Sequence, residues 1–222
     1  KIIIKLNKNL NHKALITDVG STKKKMIQLK NKFLDKKLQW ISSHPIAGSE
    51  VSGPEYGNKN LFLNKWCVII REKKQNIKKV ALLKKFWKKI GSNVILMDAN
   101  KHDEVFSLTS HLPHLIAYNL IKTAQNSEKM QKENLLKFSA GGLRDFSRIA
   151  ASNEIMWRDI FFNNKSNMLK VIDLFIKNLK IFKQDIKLNR KNLETKLKNL
   201  KKVRQKIVLL KQDTSKPDFG RI

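Results

Sequence analysis

The sequence predicts an α/β layer followed by an all-helical region. Over residues 1–99, apolar runs of strand length alternate with amphipathic segments of helix length. Beyond residue 100 the short runs give way to apolar residues recurring every three or four positions. At 222 residues the chain is long enough for one large domain or two modest ones, each with its own core. The expected boundary divides residues 1–99 from 100–222.

The first strand candidate is residues 14–19, ended by Gly20 and Ser21. Residues 22–35 follow as a helix, with Met26, Leu29, Phe33 and Leu34 on its inward stripe. A second apolar run, 38–41, stops at Ser42-Ser43-His44-Pro45, and further strands are expected at 66–70 and 94–97. Between these last two lies a helix over 76–89, with Ile77, Val80, Leu83, Phe86 and Trp87 inward and Gly91 as its stop. Such alternation implies a largely parallel sheet, whose sites gather beyond the carboxyl ends of the strands, where Ser21 and His44 stand.

In the second half, Phe106, Leu108, Leu112, Leu115, Ile116 and Leu120 fall at helical spacing. Two longer patterns follow, one from Leu169 through Leu179 to Ile186, the other from Leu193 through Leu200 to Leu210. Their apolar stripes can serve an intrachain core or a second subunit, and both readings stand at this point. Residues 216–220 read as a turn-like tail.

Charge narrows the partners. Forty-seven Lys and Arg against 18 Asp and Glu give a net charge of +29, and the lysines are scattered rather than gathered with arginine forks or aromatic platforms. Runs such as Lys23-Lys24-Lys25 are read as solvated faces. Specific nucleic-acid binding is therefore not expected, although the field favours an anionic small substrate or a phosphate-bearing cofactor. The single Cys67 lies in an apolar run and is read as a buried thiol, which excludes an internal disulfide. No apolar stretch has the length of a membrane span or a signal peptide, so a cytoplasmic protein is expected.

Four polar islands interrupt the apolar scaffold: residues 17–23, 43–53, 110–114 and 141–150. His44, His111 and His114 lack a recognisable zinc spacing, so no metal is expected. Ser21 and Ser110 do not sit in a Gly-x-Ser-x-Gly elbow, which argues against acyl transfer. Hydrogen-bond and charge chemistry suits the islands better. A neutral His44 can take a proton from a substrate hydroxyl, and Arg148 can grip a carboxylate with two parallel bonds.

Taken together the islands resemble the prephenate dehydrogenase family, with its arogenate and cyclohexadienyl members. The matching blocks, in order, are Asp18-x-Gly20-Ser21-x-Lys23, His44-Pro45-Ile46-Ala47-Gly48-x-Glu50-x-x-Gly53, Ser110-His111-Leu112-Pro113-His114 and Gly141-Gly142-x-Arg144-Asp145-Phe146-x-Arg148-Ile149-Ala150. The resemblance implies the later part of a Rossmann-type nicotinamide domain followed by a helical substrate-binding and dimerisation domain. It also implies oxidative decarboxylation of prephenate to 4-hydroxyphenylpyruvate with hydride transfer to NAD or NADP, for tyrosine synthesis, by a homodimer.

By that resemblance His44 draws off the ring hydroxyl proton, with Ser21 beside the hydroxyl and the nicotinamide. Arg148 holds a substrate carboxylate, His114 and Ser110 line the pocket, and Glu50 orders it. Asp18, Gly20 and Ser21 mark the cofactor side. The sequence departs from the family in carrying no Gly-x-Gly-x-x-Gly turn; in the family that element precedes the Asp18 motif. The expectation is accordingly a polypeptide that binds NAD poorly by itself and that can be inactive as it stands. Competing readings are an arogenate dehydrogenase yielding tyrosine, another dehydrogenase of the same two-domain plan, and a basic module without catalysis.

Overall fold

The computed structural model describes residues 1–48 and 53–210. Glu50 and the 216–220 tail lie outside the described residues. The strands form two small sheets. β1 (Leu15–Ile16) pairs in parallel with β2 (Gln39–Trp40), and β3 (Ser43–Pro45), β4 (Trp66–Ile70) and β5 (Asn93–Met97) lie side by side in that order. The β4–β5 pair is parallel, joined through α3 (Ile77–Lys89), as a βαβ unit requires.

The reason β4 reads as a continuous apolar run is that both faces of its sheet are covered. Cys67 and Ile69 point to one side, against Leu83 and Trp87 of α3, while Val68 and Ile70 point to the other, against Phe106 at the end of α4 (Ala99–Phe106). Leu83 and Trp87 are four apart and so share one helix face. The helix is opened by Asn76, whose side chain accepts from the Lys79 amide at 3.2 Å. It closes at Gly91, where φ is +95° and a Cβ would come within 3.0 Å of Leu63 Cδ1. A separate cluster of Ile16, Leu38 and Trp40 packs under α1 (Ile2–Asn9) and α2 (Lys24–Phe33).

Two expectations need correction. The strand pairings are largely parallel, as expected, but β3 departs by running antiparallel to β4. His44 therefore lies within a strand rather than beyond the end of one. Second, Lys23 is not on a solvated face: it is fully buried, with its ammonium on the Asp18 carboxylate and on the Ser43 carbonyl at 2.6 Å. A lysine can be buried only where such partners replace water.

Beyond α4 come a π-helical turn (Ser107–His111) and α5 (Leu112–Gln131). They are followed by α6 (Gly141–Ala150), α7 (Glu154–Asn163), α8 (Lys165–Lys187) and α9 (Leu193–Leu209). The turn between the last two is pinned by a buried Asp185, which takes Arg190 at 3.3 Å and Lys196. An intrachain core does not consume the apolar stripe of these helices. Leu169, Leu179 and Ile186 on α8, with Leu200 and Val203 on α9, are all more than half exposed.

Candidate active site

A cleft of about 460 Å³ opens where the β3 sheet meets the helical half. It is lined by Ser21 and His44 from the strand side, and by Ser110, His114, Arg148 and Trp157 from the helical side. Five residues singled out from the sequence, drawn from four segments up to 127 positions apart, thus meet around one cavity. Asp18 and Gly20 do not line it. The Asp18 carboxylate is engaged by Trp40 Nε1 at 3.0 Å, by the Gly20 amide at 3.2 Å and by Lys23, so it braces the loop that presents Ser21.

Register decides which way His44 faces. It is paired with Val68, and residues directly opposite across an antiparallel pair share a face, here the α4 face. A slip of one position would turn the imidazole toward α3. On the α4 side its ring meets the edge of Phe106 at 5.0 Å between centroids, and its Nδ1 lies 2.8 Å from His102 Nε2. His102 Nδ1 in turn lies 2.8 Å from Asp103 Oδ1. Asp103 also accepts the Lys23 and Lys24 amides at 2.8 and 2.9 Å, at the start of α2.

This chain of contacts fixes the protons. Burial works against the charged form of Asp103, but the hydrogen bonds from His102, Lys24 and Lys23 outweigh it and hold the carboxyl below its usual range. A carboxylate only accepts, so His102 donates from Nδ1 and is left to accept at Nε2. His44 must then donate from Nδ1, which leaves its Nε2 unprotonated. Burial, reinforced by His102, Lys23 and His111, pushes the His44 imidazole down to about 2, so the ring is neutral before any ligand arrives and Nε2 carries a free lone pair.

The opposite wall is built from α5, α6 and α7. His114 gives its Nδ1 proton to the Ser110 carbonyl at 3.0 Å and lies flat on Trp157, 3.7 Å between centroids at 22°. These stacked rings make a planar apolar wall. Arg148, in the last turn of α6, forms a long 3.9 Å ion pair with Asp145 and keeps nearly half its side chain in solvent. Glu50 falls in the segment outside the described residues.

Sequence reasoning did not single out His102 or Asp103. A signal was present: His102 shares a helix face with Phe106, four residues on, so a polar residue stood on an apolar stripe. Cys67 is buried as expected, and burial pushes its thiol up to about 12, which makes it inert. Among the described residues no three His, Cys, Asp or Glu side chains are grouped to hold a metal ion, and no helix is long and apolar enough to cross a membrane.

Comparison with known proteins agrees with this geometry. The family profile for the prephenate dehydrogenase nucleotide-binding domain matches residues 1–96, and that for the prephenate dehydrogenase dimerization domain matches 98–205. A cyclohexadienyl dehydrogenase of Zymomonas mobilis is 37% identical over 77% of this chain and 58% of its own length. A prephenate dehydrogenase of Bacillus subtilis is 36% identical over 77% of this chain and 46% of its own. The chain thus spans about half the length of these relatives. The crystal structure of Aquifex aeolicus prephenate dehydrogenase with hydroxyphenyl propionate and NAD+ superposes with a TM-score of 0.86 at 39% identity, covering 93% of this chain and 71% of that one. Synechocystis arogenate dehydrogenase, at 23% identity and a TM-score of 0.78, shares the fold over 92% of this chain and 73% of its own. With both halves matched in order and most of a solved relative covered, the chain belongs to the prephenate dehydrogenase family.

Proposed function

We propose that the cleft is the active site of a prephenate dehydrogenase, which converts prephenate to 4-hydroxyphenylpyruvate and carbon dioxide with reduction of NAD, in tyrosine biosynthesis. The observation that carries the reading is the chain from His44 through His102 to Asp103, which leaves an unprotonated nitrogen on the part-buried, cleft-lining His44 imidazole. A cyclohexadienyl dehydrogenase at 37% identity and a prephenate dehydrogenase at 36% favour prephenate over arogenate.

The residues present fit one end of a nicotinamide dinucleotide. Ser21 opens onto the same cleft as His44, and the loop behind it is braced by the Asp18 carboxylate, which accepts the Gly20 amide at 3.2 Å and meets Lys23. Ser21 would hold the nicotinamide end, with the turn at residues 18–20 bracing it from behind, and NAD as in the Aquifex complex. When bound, that group accepts the hydride from ring C4.

The rest of the chemistry belongs to side chains of this chain. His44 Nε2 takes the hydroxyl proton as the C4–H bond breaks, while its Nδ1–H stays on His102 and Asp103 steadies the positive charge through that ring. Arg148 binds a substrate carboxylate, and the stacked pair of His114 and Trp157 gives the ring a flat surface. Ser110, beside His114, lines the pocket, and Glu50 would order it as the family resemblance implies. Departure of the ring carboxylate as carbon dioxide leaves an aromatic ring, so alignment, one base and anion binding suffice.

The exposed apolar stripe on α8 and α9 supports a homodimer, and the reading places the protein in the cytoplasm with other enzymes of small anionic metabolites. The test is calorimetric titration of the chain with prephenate, paired with absorbance of reduced NAD. Binding that His44→Asn and Arg148→Ala both weaken is expected. Absence of both binding and turnover overturns the reading.

A further inference from the structure

His111 faces the same cleft as His44 with its protons arranged the other way round. Asn164, buried at the start of α8, decides this. Its Nδ2 donates to the Asp103 carbonyl at 2.7 Å and lies 3.2 Å from His111 Nδ1, while its Oδ1 accepts from Asn167 at 2.8 Å. A main-chain carbonyl can only accept, so the nitrogen of the Asn164 amide is the atom on this side, and His111 Nδ1 must accept from it. The remaining proton of the neutral ring then sits on Nε2. Burial, helped by His102 and His114 and opposed by the Asp103 charge, brings the His111 imidazole down to about 4 and keeps it in this neutral form.

The Nε2–H so defined is fully buried and has no hydrogen-bond partner among the described residues. Trp157, whose ring meets His111 edge-on at 6.1 Å, carries a second such donor, its Nε1. Both residues line the cleft. Buried donors left unmade are costly, and a pair of them on one wall of a cavity points to an oxygen that arrives with a ligand.

We infer that His111, with Trp157 beside it, is a substrate-contacting hydrogen-bond donor that takes the side-chain carbonyl oxygen of a 2-keto acid, in the ring-carboxylated substrate and in its aryl product alike. The inference rests on the proposed substrate reading and adds to it how the keto group is recognised. Neutral donors suit an uncharged carbonyl, whereas the cations of the cleft, Lys65 and Arg148, suit carboxylates. Nε2 of His114, whose Nδ1 proton goes to Ser110, is an acceptor and cannot replace His111 in this role.

The experiment compares two ligands that differ at this atom, 4-hydroxyphenylpyruvate and 4-hydroxyphenylpropionate, by calorimetric titration of the chain. The parent is expected to bind the keto acid about three- to tenfold tighter, the span of one neutral hydrogen bond. His111→Phe should make the two affinities equal, and His111→Gln, which keeps an N–H, should restore part of the preference. Nitrogen-15 spectra of histidine-labelled parent chain should find the His111 proton on Nε2, a readout that needs no variant to fold. Equal affinities in the parent, a preference untouched in His111→Phe, or a proton on Nδ1 would each overturn the inference alone. If the parent binds neither ligand, the substrate reading falls and the inference with it.

Discussion

The two walls of the cleft are built on opposite physical plans. On the strand side, His44, His102 and Asp103 are joined by short hydrogen bonds, and the last two are buried, fixed before any ligand arrives. On the helical side, Arg148 stands half in solvent, with an ion pair to Asp145 that spans 3.9 Å. A base has to hold its tautomer and direction in advance, because reorganisation during proton transfer would raise the barrier. An anion grip can stay hydrated until the ligand displaces the water, and it gains its strength only then.

The comparison breaks most sharply at His44. With reduction of NAD by prephenate as the readout, His44→Asn should lower kcat by about 10²- to 10⁴-fold, with a smaller change in KM. A variant with parental kcat would remove the base from the strand wall. Next comes its anchor. Asp103→Ala strands the buried Lys23 amide and His102 proton and the part-buried Lys24 amide, and should cost about 3–5 kcal/mol of stability. Urea unfolding that moves by less than about 1 kcal/mol would mean the network is soft.

A third test uses pH. Burial above all lowers His44, His102, His111 and His114, whereas unfolded imidazoles titrate near 6.5. As pH falls below about 6.5 the unfolded chain takes up protons that the folded chain refuses, so stability is full above that value and drains away below it. Each histidine held neutral contributes about 1.4 kcal/mol per pH unit on the descent. The melting temperature should drop steadily from about pH 7 to pH 5, before the carboxylates begin to titrate. A flat profile would contradict imidazoles held neutral by the fold.

The smallest effect is expected on the helical wall. Because Arg148 begins half-solvated, Arg148→Ala should weaken prephenate binding by about five- to tenfold rather than by the larger factor of a desolvated pair, with stability unchanged. Arg148→Lys should recover part of the loss, since it keeps the charge without the planar fork. A loss above about a hundredfold on titration would place Arg148 in a site as preformed as that of His44.

Much of this was legible in the sequence. The run 66–70, the helix ending before Gly91 and the patterns of α8 and α9 are local features of hydrophobic spacing and turn chemistry, and they stand where expected. The motifs also brought His44, Ser21, Ser110, His114 and Arg148 to notice, and these meet at one cleft. What the sequence by itself determined was therefore the alternation of elements and the residue types available for chemistry, since both depend on neighbours within a few positions.

The tertiary structure decided the rest. The antiparallel pairing of β3 turns His44 toward α4, and Lys23 is buried because Asp18 and the Ser43 carbonyl are there to receive its charge. His102 reaches His44 across 58 positions and Asn164 reaches His111 across 53, distances at which no periodicity carries information. Which nitrogen of each imidazole holds its proton depends on such partners. One histidine becomes a base and the other a donor because of the atoms that pack behind them, which a one-dimensional pattern does not specify.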